Sequence, residues 1–339
     1  MKNNWILAIL IIIFILAIPT EIKIADLLWG EKVPAPHSKY LLHNYRYHFT
    51  IIANNTQEEY WKQVRKAAEA MSRSEKIALE YYGTRFANAN IKELEKYLEV
   101  SILSSVDGIL ASVPNEPSFR ALLNEAHLKN IPVIILANDI ERCNKRGFIG
   151  INIYDLGFKT GRTLIQAMGG VGQVAALVNA DFAEASYQQY LKGLKDAIGP
   201  FPRLNLKLVI GSKGESINAE EQTQSLLKNH PEIQAIVCTD PNDTLGVAKV
   251  VIDLNRVTQV TIIGRGLTSE ISSYLKRGVI WGVLADDPSQ LGAEAVASLF
   301  RIKQAQPVKK ANYLPLFLIT SQNIAQYAER FKINHKARR

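Results

Sequence analysis

GFIGINIYDLGFKTGRTL, residues 147–164, decides how this chain is read. Its first six residues are a short apolar run of strand length. From Asp155 onward the pattern changes to helical spacing, which continues to about Met168. A buried strand that runs straight into an amphipathic helix is half of a strand–helix–strand unit. The stretch stands where one series of such units ends and a second begins.

Toward the N-terminus the alternation is regular. Strands are expected at HFTIIA (48–53), KIALEYY (76–82), VDGILAS (106–112) and IPVIILA (131–137). Between them, helical spacing covers 57–71, 91–102 and 118–129. The first helix carries Tyr60, Trp61, Val64, Ala67, Ala68 and Met71 on one stripe. Toward the C-terminus the same rhythm gives strands at 173–179, 205–211, 233–239, 260–264, 279–285 and 313–319. Helices are expected at 185–198, 218–229, 243–254, 269–276 and 289–302, with one more at the end. Apolar strands alternating with amphipathic helices imply parallel sheets covered on both faces. Eleven or so strands are too many for one such sheet, so the expected fold is α/β with two doubly wound lobes. Ligands of such sheets sit off the carboxyl ends of the strands. That rule brings Asn54, Asn55, Asn138, Asp139, Asn152, Asp240, Arg265 and Asp286 to a common cleft.

The composition narrows the function. The chain has 339 residues, 47% hydrophobic and 21% charged, with a formal charge of +8. The positive charge is dispersed apart from a basic tail, HKARR (335–339), and a nucleic-acid protein gathers its basic residues on one motif. Cys143 and Cys238 lack metal-ligand spacing and read as separate thiols. Gly264-Arg265-Gly266 does not complete a dinucleotide fingerprint, because Ser269 stands where the third glycine belongs. There is no phosphate-binding loop, Gly-x-Ser-x-Gly elbow or His-Glu-x-x-His, so neither an enzyme nor a cofactor is expected.

The N-terminus points outside the cytoplasm. Trp5–Ile18 is an unbroken apolar run behind Lys2. Its fourteen residues would rise about 21 Å as a helix, short of the ~30 Å hydrocarbon core and suited to an export signal. No small-x-small cleavage site follows and no lipid-accepting cysteine ends the run. An uncleaved anchor is therefore favoured over a removed signal, followed by a linker over 21–45 that includes VPAPHS (33–38).

The order and spacing of these pieces resemble the type I periplasmic binding-protein family, the ribose- and galactose-binding class, which shares its fold with the ligand domain of lactose-repressor-type regulators. The resemblance rests on VDGILASVP (106–114), NIPVIILAND (130–139), residues 147–164, QYLKGLKDAI (189–198), DTLGVAKVV (243–251), DPSQLGAEAV (287–296) and LITSQNIAQY (318–327). It covers about 46–331 and implies two lobes joined by three crossings: 46–165 plus 287–316, and 166–286 plus 317–331, ahead of the tail at 332–339. It further implies a small-molecule ligand between the lobes, and a membrane partner, either an ABC transporter permease or a sensor histidine kinase. A lactose-repressor-type regulator is the alternative, but 1–45 offers no DNA-binding helix pair.

By the same resemblance, Tyr60 and Trp61 fall where family members stack rings on a sugar, although aromatics at helical spacing equally fill a core. Asn152 stands where sugar binders place a carboxylate, Tyr190 where an arginine is usual, and Asp240 at the polar strand end of the second lobe. Asp286 lies by the last crossing. Arg265 occupies or adjoins the place of a hydroxyl-binding Asp. Three readings of it stay open: a solvated turn residue, an arginine paired with Asp240 or Asp286 beside a neutral sugar, or a direct contact to an anionic ligand.

Overall fold

The computed structural model describes residues 45–54, 58–84, 91–179 and 184–331. The apolar N-terminal segment, Asn55 and the basic tail lie outside them. Among the described residues no helix is long and apolar enough to cross a membrane.

The first lobe opens with β1 (Tyr47–Ala53), α1 (Glu59–Ser74), β2 (Ile77–Gly83), α2 (Ile91–Leu103), β3 (Gly108–Ser112), α3 (Pro117–Leu128), β4 (Val133–Ala137) and β5 (Gly147–Gly150). The second lobe follows with α4 (Ile153–Met168), β6 (Gly172–Asn179), α5 (Glu184–Ile198), β7 (Leu204–Ser212), α6 (Ser216–Asn229), β8 (Ala235–Cys238), α7 (Pro241–Asp253), β9 (Thr261–Arg265), α8 (Ser269–Lys276) and β10 (Gly282–Ala285). The chain then returns through α9 (Pro288–Lys303) and β11 (Ala311–Tyr313), and ends in β12 (Phe317–Thr320) and α10 (Ile324–Arg330). Two six-stranded sheets result, ordered β11-β5-β4-β3-β1-β2 and β12-β10-β9-β8-β6-β7. All pairings are parallel except β12, which runs antiparallel to β10.

Each sheet is apolar on both faces, as parallel sheets require. In the first lobe Phe49, Ile51 and Leu110 pack under α1 and α9, while Ile52, Ile109 and Ile135 pack under α2 and α3. In the second lobe Val174, Ala176 and Val237 face α4 and α5, while Ala175, Ile236 and Ile262 face α6, α7 and α8.

Two boundaries differ from the sequence reading. The first lobe was expected to run to residue 165, but α4 belongs to the second lobe. Ile151, Leu156 and Leu164 join that lobe's core, and α4 lies so close on α5 that a β-carbon at Gly157 would stand 2.0 Å from the Tyr190 carbonyl oxygen. The crossing is therefore at Ile151–Asn152. Asn152 begins α4 by accepting a hydrogen bond from the Asp155 amide at 3.1 Å, and Gly169, at φ 65°, ends it. The second correction concerns 313–319, read as one strand. It is split at Pro315, which has no N–H for a sheet ladder. Leu314 is buried in the first lobe and Leu316 in the second, so this segment is itself a crossing.

Candidate functional site

The three crossings define the cleft. Ile151–Asn152 leaves the carboxyl end of β5, Asp286–Asp287 leaves the carboxyl end of β10, and 314–316 joins the carboxyl end of β11 to β12. Because β12 is antiparallel to β10, it starts at the carboxyl edge of the second sheet. All three ties thus join the same two edges, and strand-end residues of the two lobes face one another.

Arg265 ends β9 at this edge, and the structure explains both flanking glycines. A β-carbon on Gly264 would come within 2.2 Å of the Thr244 methyl carbon, and Gly266 adopts φ +74°. The backbone amide of Arg265 donates to Thr244 Oγ1 at 3.0 Å. Its guanidinium donates from Nη1 to the Leu284 carbonyl at 2.9 Å and from Nη2 to Asp286 Oδ1, forming an ion pair. The other oxygen of Asp286 accepts from the Tyr60 hydroxyl at 2.7 Å. The Arg265 and Asp286 side chains are only 14% and 3% exposed. Burial first, and the Asp286 carboxylate second, hold the Tyr60 hydroxyl well above its ordinary pKa, so it stays a donor. Tyr60, Arg265 and Asp286 therefore form one network that joins the first lobe to the second.

The neighbouring residue Asp287 faces elsewhere. It caps α9, accepting from the Ser289 amide at 2.9 Å, and pairs with Arg330 at 3.1 Å. Two adjacent carboxylates at one crossing thus hold both sides of it.

A second polar group lines the carboxyl edge of β6–β8. Asp240 caps α7, accepting from the Asn242 amide at 2.8 Å, and lies 3.4 Å from Asn179 Nδ2. Asn242 reaches the Gly214 carbonyl at 3.0 Å. Burial raises the Asp240 carboxyl above the usual range, partly opposed by the Asn242 amide. One turn on, Asp243 is fully buried and accepts from the Ser212 hydroxyl, while its Oδ1 has no partner. Burial, reinforced by Asp240, pushes its carboxyl up to about 7.

Trp61 packs against the network's Tyr60, and the other expected site residues make contacts of their own. Trp61 is 6% exposed and sits in the first lobe's core, its ring edge-on to Tyr60 at 5.6 Å. Its helical spacing serves packing in this structure, and Tyr60 presents the polar group. Tyr190 is fully buried, and its ring lies among the second lobe's core residues. Asp139 lies on an exposed loop, paired with Lys145 and accepting from the Ile140 amide at 2.8 Å. Asn152 is committed to its helix cap.

Several residues of the edge were not singled out from the sequence. Asn179 ends a strand as Asp240 does, and that position was its available signal. Glu59 and Asp243 look like ordinary first-turn helix acids. Among the described residues, no cluster of three or more His, Cys, Asp or Glu is arranged to hold a metal, and both cysteines are free thiols.

Residues 49–307 match the model of a periplasmic binding protein domain. The D-allose-binding periplasmic protein of Escherichia coli K12 is 18% identical over 281 residues, 79% of this chain and 88% of that protein. Periplasmic protein TorT of Escherichia coli O157:H7 is 26% identical over 202 residues, 59% of this chain and 57% of TorT. GanP, a glucose-galactose binding protein from Geobacillus stearothermophilus, superposes with a TM-score of 0.77 at 29% identity, covering 82% of this chain and 98% of GanP. With the match spanning most of the chain and both lobes reproduced, the chain belongs to the periplasmic binding protein family, in its type I class of extracytoplasmic substrate-binding proteins.

Proposed function

We propose that this protein binds a neutral sugar or sugar-like polyol between its lobes and presents the closed form to a membrane partner. The observation that carries this reading is the state of Arg265. Its guanidinium is already neutralised by Asp286 and hydrogen-bonded to the Leu284 carbonyl. An anionic ligand would have to displace a carboxylate that is 3% exposed. A neutral ligand needs no such exchange. Each sugar hydroxyl both donates and accepts, which suits an edge offering the Asp240 carboxylate as acceptor and the Asn179 amide as donor. The named ligands of the relatives, D-allose and glucose or galactose, support the same class.

Binding acts by population shift. A ligand that touches both lobes favours the closed arrangement by its difference in affinity for the two states, and the three crossings supply the hinge. The partner that reads the closed form is an ABC transporter permease or a sensor histidine kinase. The segment Trp5–Ile18 is our candidate tether to the membrane. Membrane fractionation with N-terminal sequencing checks this, and a soluble protein beginning near residue 20–35 would refute it.

The ligand class is tested by a thermal-shift screen across neutral monosaccharides, polyols, sugar acids and sugar phosphates. A specific ligand at a hundred times its Kd stabilises by about 2.7 kcal/mol. A neutral sugar should raise the melting temperature, with little dependence on salt. Stabilisation by sugar acids or phosphates alone would overturn the neutral reading.

A further inference from the structure

Among the described residues, the first turn of α1 touches the second lobe through Tyr60, which belongs to the Arg265 network, and through Glu59, which does not. The Glu59 carboxylate accepts from the backbone amide of Ser269 at 3.0 Å and from the Ser269 hydroxyl at 3.0 and 3.1 Å. Glu59 is the first residue of α1 in the first lobe, and Ser269 is the first residue of α8 in the second.

The chemistry of this contact is that of a helix cap supplied by another lobe. An α-helix leaves its first four amides without partners inside the helix. The N-cap residue of α8, Thr268, accepts from the Ile271 amide at 3.2 Å and leaves the Ser269 amide to other acceptors. Glu59 supplies the acceptor, and its negative charge lies at the positive end of the helix dipole. These bonds exist only while the two lobes are together. Each partner can be solvated when they part, so neither depends on the contact for its own fold.

We propose that Glu59 is a clamp residue that stabilises the closed arrangement of the lobes before any ligand arrives. Substrate-binding proteins whose closed state is fractionally populated bind with an apparent Kd equal to the intrinsic value divided by that fraction. A clamp made of protein groups therefore raises the closed population and tightens binding without touching the ligand. Glu59 positions and does not recognise. It is half-buried and Ser269 is exposed, so the contact is open to screening by salt.

This inference rests on the two-lobed binding reading but not on the identity of the ligand, and its test uses none. Small-angle scattering of the ligand-free full chain reports the compactness of the lobes for wild type, Glu59→Ala, Glu59→Gln and Ser269→Ala. A spin-label pair, one label on each lobe, reports the closed fraction directly. Glu59→Ala should lower the closed-to-open ratio about three- to tenfold, the scale of a charge-assisted contact at a partly exposed site. Glu59→Gln keeps an acceptor oxygen and should lose less. Ser269→Ala keeps the amide and should fall between wild type and Glu59→Ala. Raising salt should open wild type and leave Glu59→Ala unchanged. Unaltered circular dichroism and melting of the variants would separate opening from unfolding. The proposal is overturned when wild type and Glu59→Ala have the same closed fraction, whether both are open or both are closed. The sugar screen fails or succeeds independently, since it reads ligand stabilisation and not the ligand-free equilibrium.

Discussion

Removing Arg265 should destabilise the protein more than removing its partner, and the structure gives the reason. In Arg265→Ala, Asp286 loses its counter-charge while its side chain remains 3% exposed, with Tyr60 as its remaining hydrogen-bond donor of the network. Breaking a buried pair from one side typically costs roughly 3–5 kcal/mol. Arg265 is 14% exposed at the cleft edge, so water entering the vacated space offsets part of this, and about 2–4 kcal/mol is expected. In Asp286→Ala the guanidinium keeps the Leu284 carbonyl and its partial access to solvent. The Tyr60 hydroxyl loses its acceptor, at about 1 kcal/mol, so the total should reach roughly 2 kcal/mol. Thermal unfolding is the assay. A loss of about 3 kcal/mol in a chain of this size lowers the melting temperature by roughly 4–5 °C. The double variant removes both charges and should recover part of the sum, giving a coupling of about 1–3 kcal/mol. Shifts below about 1 °C for both single variants, or strict additivity in the double, would refute the inference that the pair is buried and coupled.

Three further outcomes are expected. Asp243 carries its proton more tightly in the folded chain, with its pKa pushed up to about 7 from the ordinary carboxyl value of 3.8, so the folded state binds the extra proton between those values. Stability should fall as pH rises from about 4 to 7 and level off above, and Asp243→Asn should flatten the profile and stabilise by about 2 kcal/mol at pH 8, measured by denaturant titration. Gly193→Ala puts a β-carbon 2.1 Å from the Tyr154 carbonyl oxygen, so α4 and α5 must separate, with a cost of about 1–3 kcal/mol visible in thermal unfolding. Tyr60→Phe should lose about 1 kcal/mol of stability while keeping its ring packing, and an unchanged melting temperature would remove Tyr60 from the Asp286 network.

Local patterning determined the elements. Buried parallel strands need unbroken apolar runs and covering helices need a stripe, so the order β1 to β10, with the eight described helices α1 to α8 between them, could be followed along the chain. The same patterning implied two lobes and a cleft at the strand ends. It also marked Arg265, because a strand ending in Gly-Arg-Gly announces tight backbone surroundings. The sequence left Arg265 three possible partners; the tertiary structure selected Asp286, 21 residues away, because β9 and β10 lie side by side with their ends in register. Glu59 meets Ser269 across 210 residues, which no local pattern can signal. The direction of an aromatic ring is equally non-local. Trp61 could be read from sequence as a ligand or a core residue and Tyr190 was placed near the ligand by resemblance; both rings are buried in their lobes' cores, among residues contributed by distant parts of the chain. The lobe boundary at Asn152 and the division of 313–319 at Pro315 follow the same rule. Periodicity reports what a segment must bury, while the lobe that covers it is decided only when the segments pack.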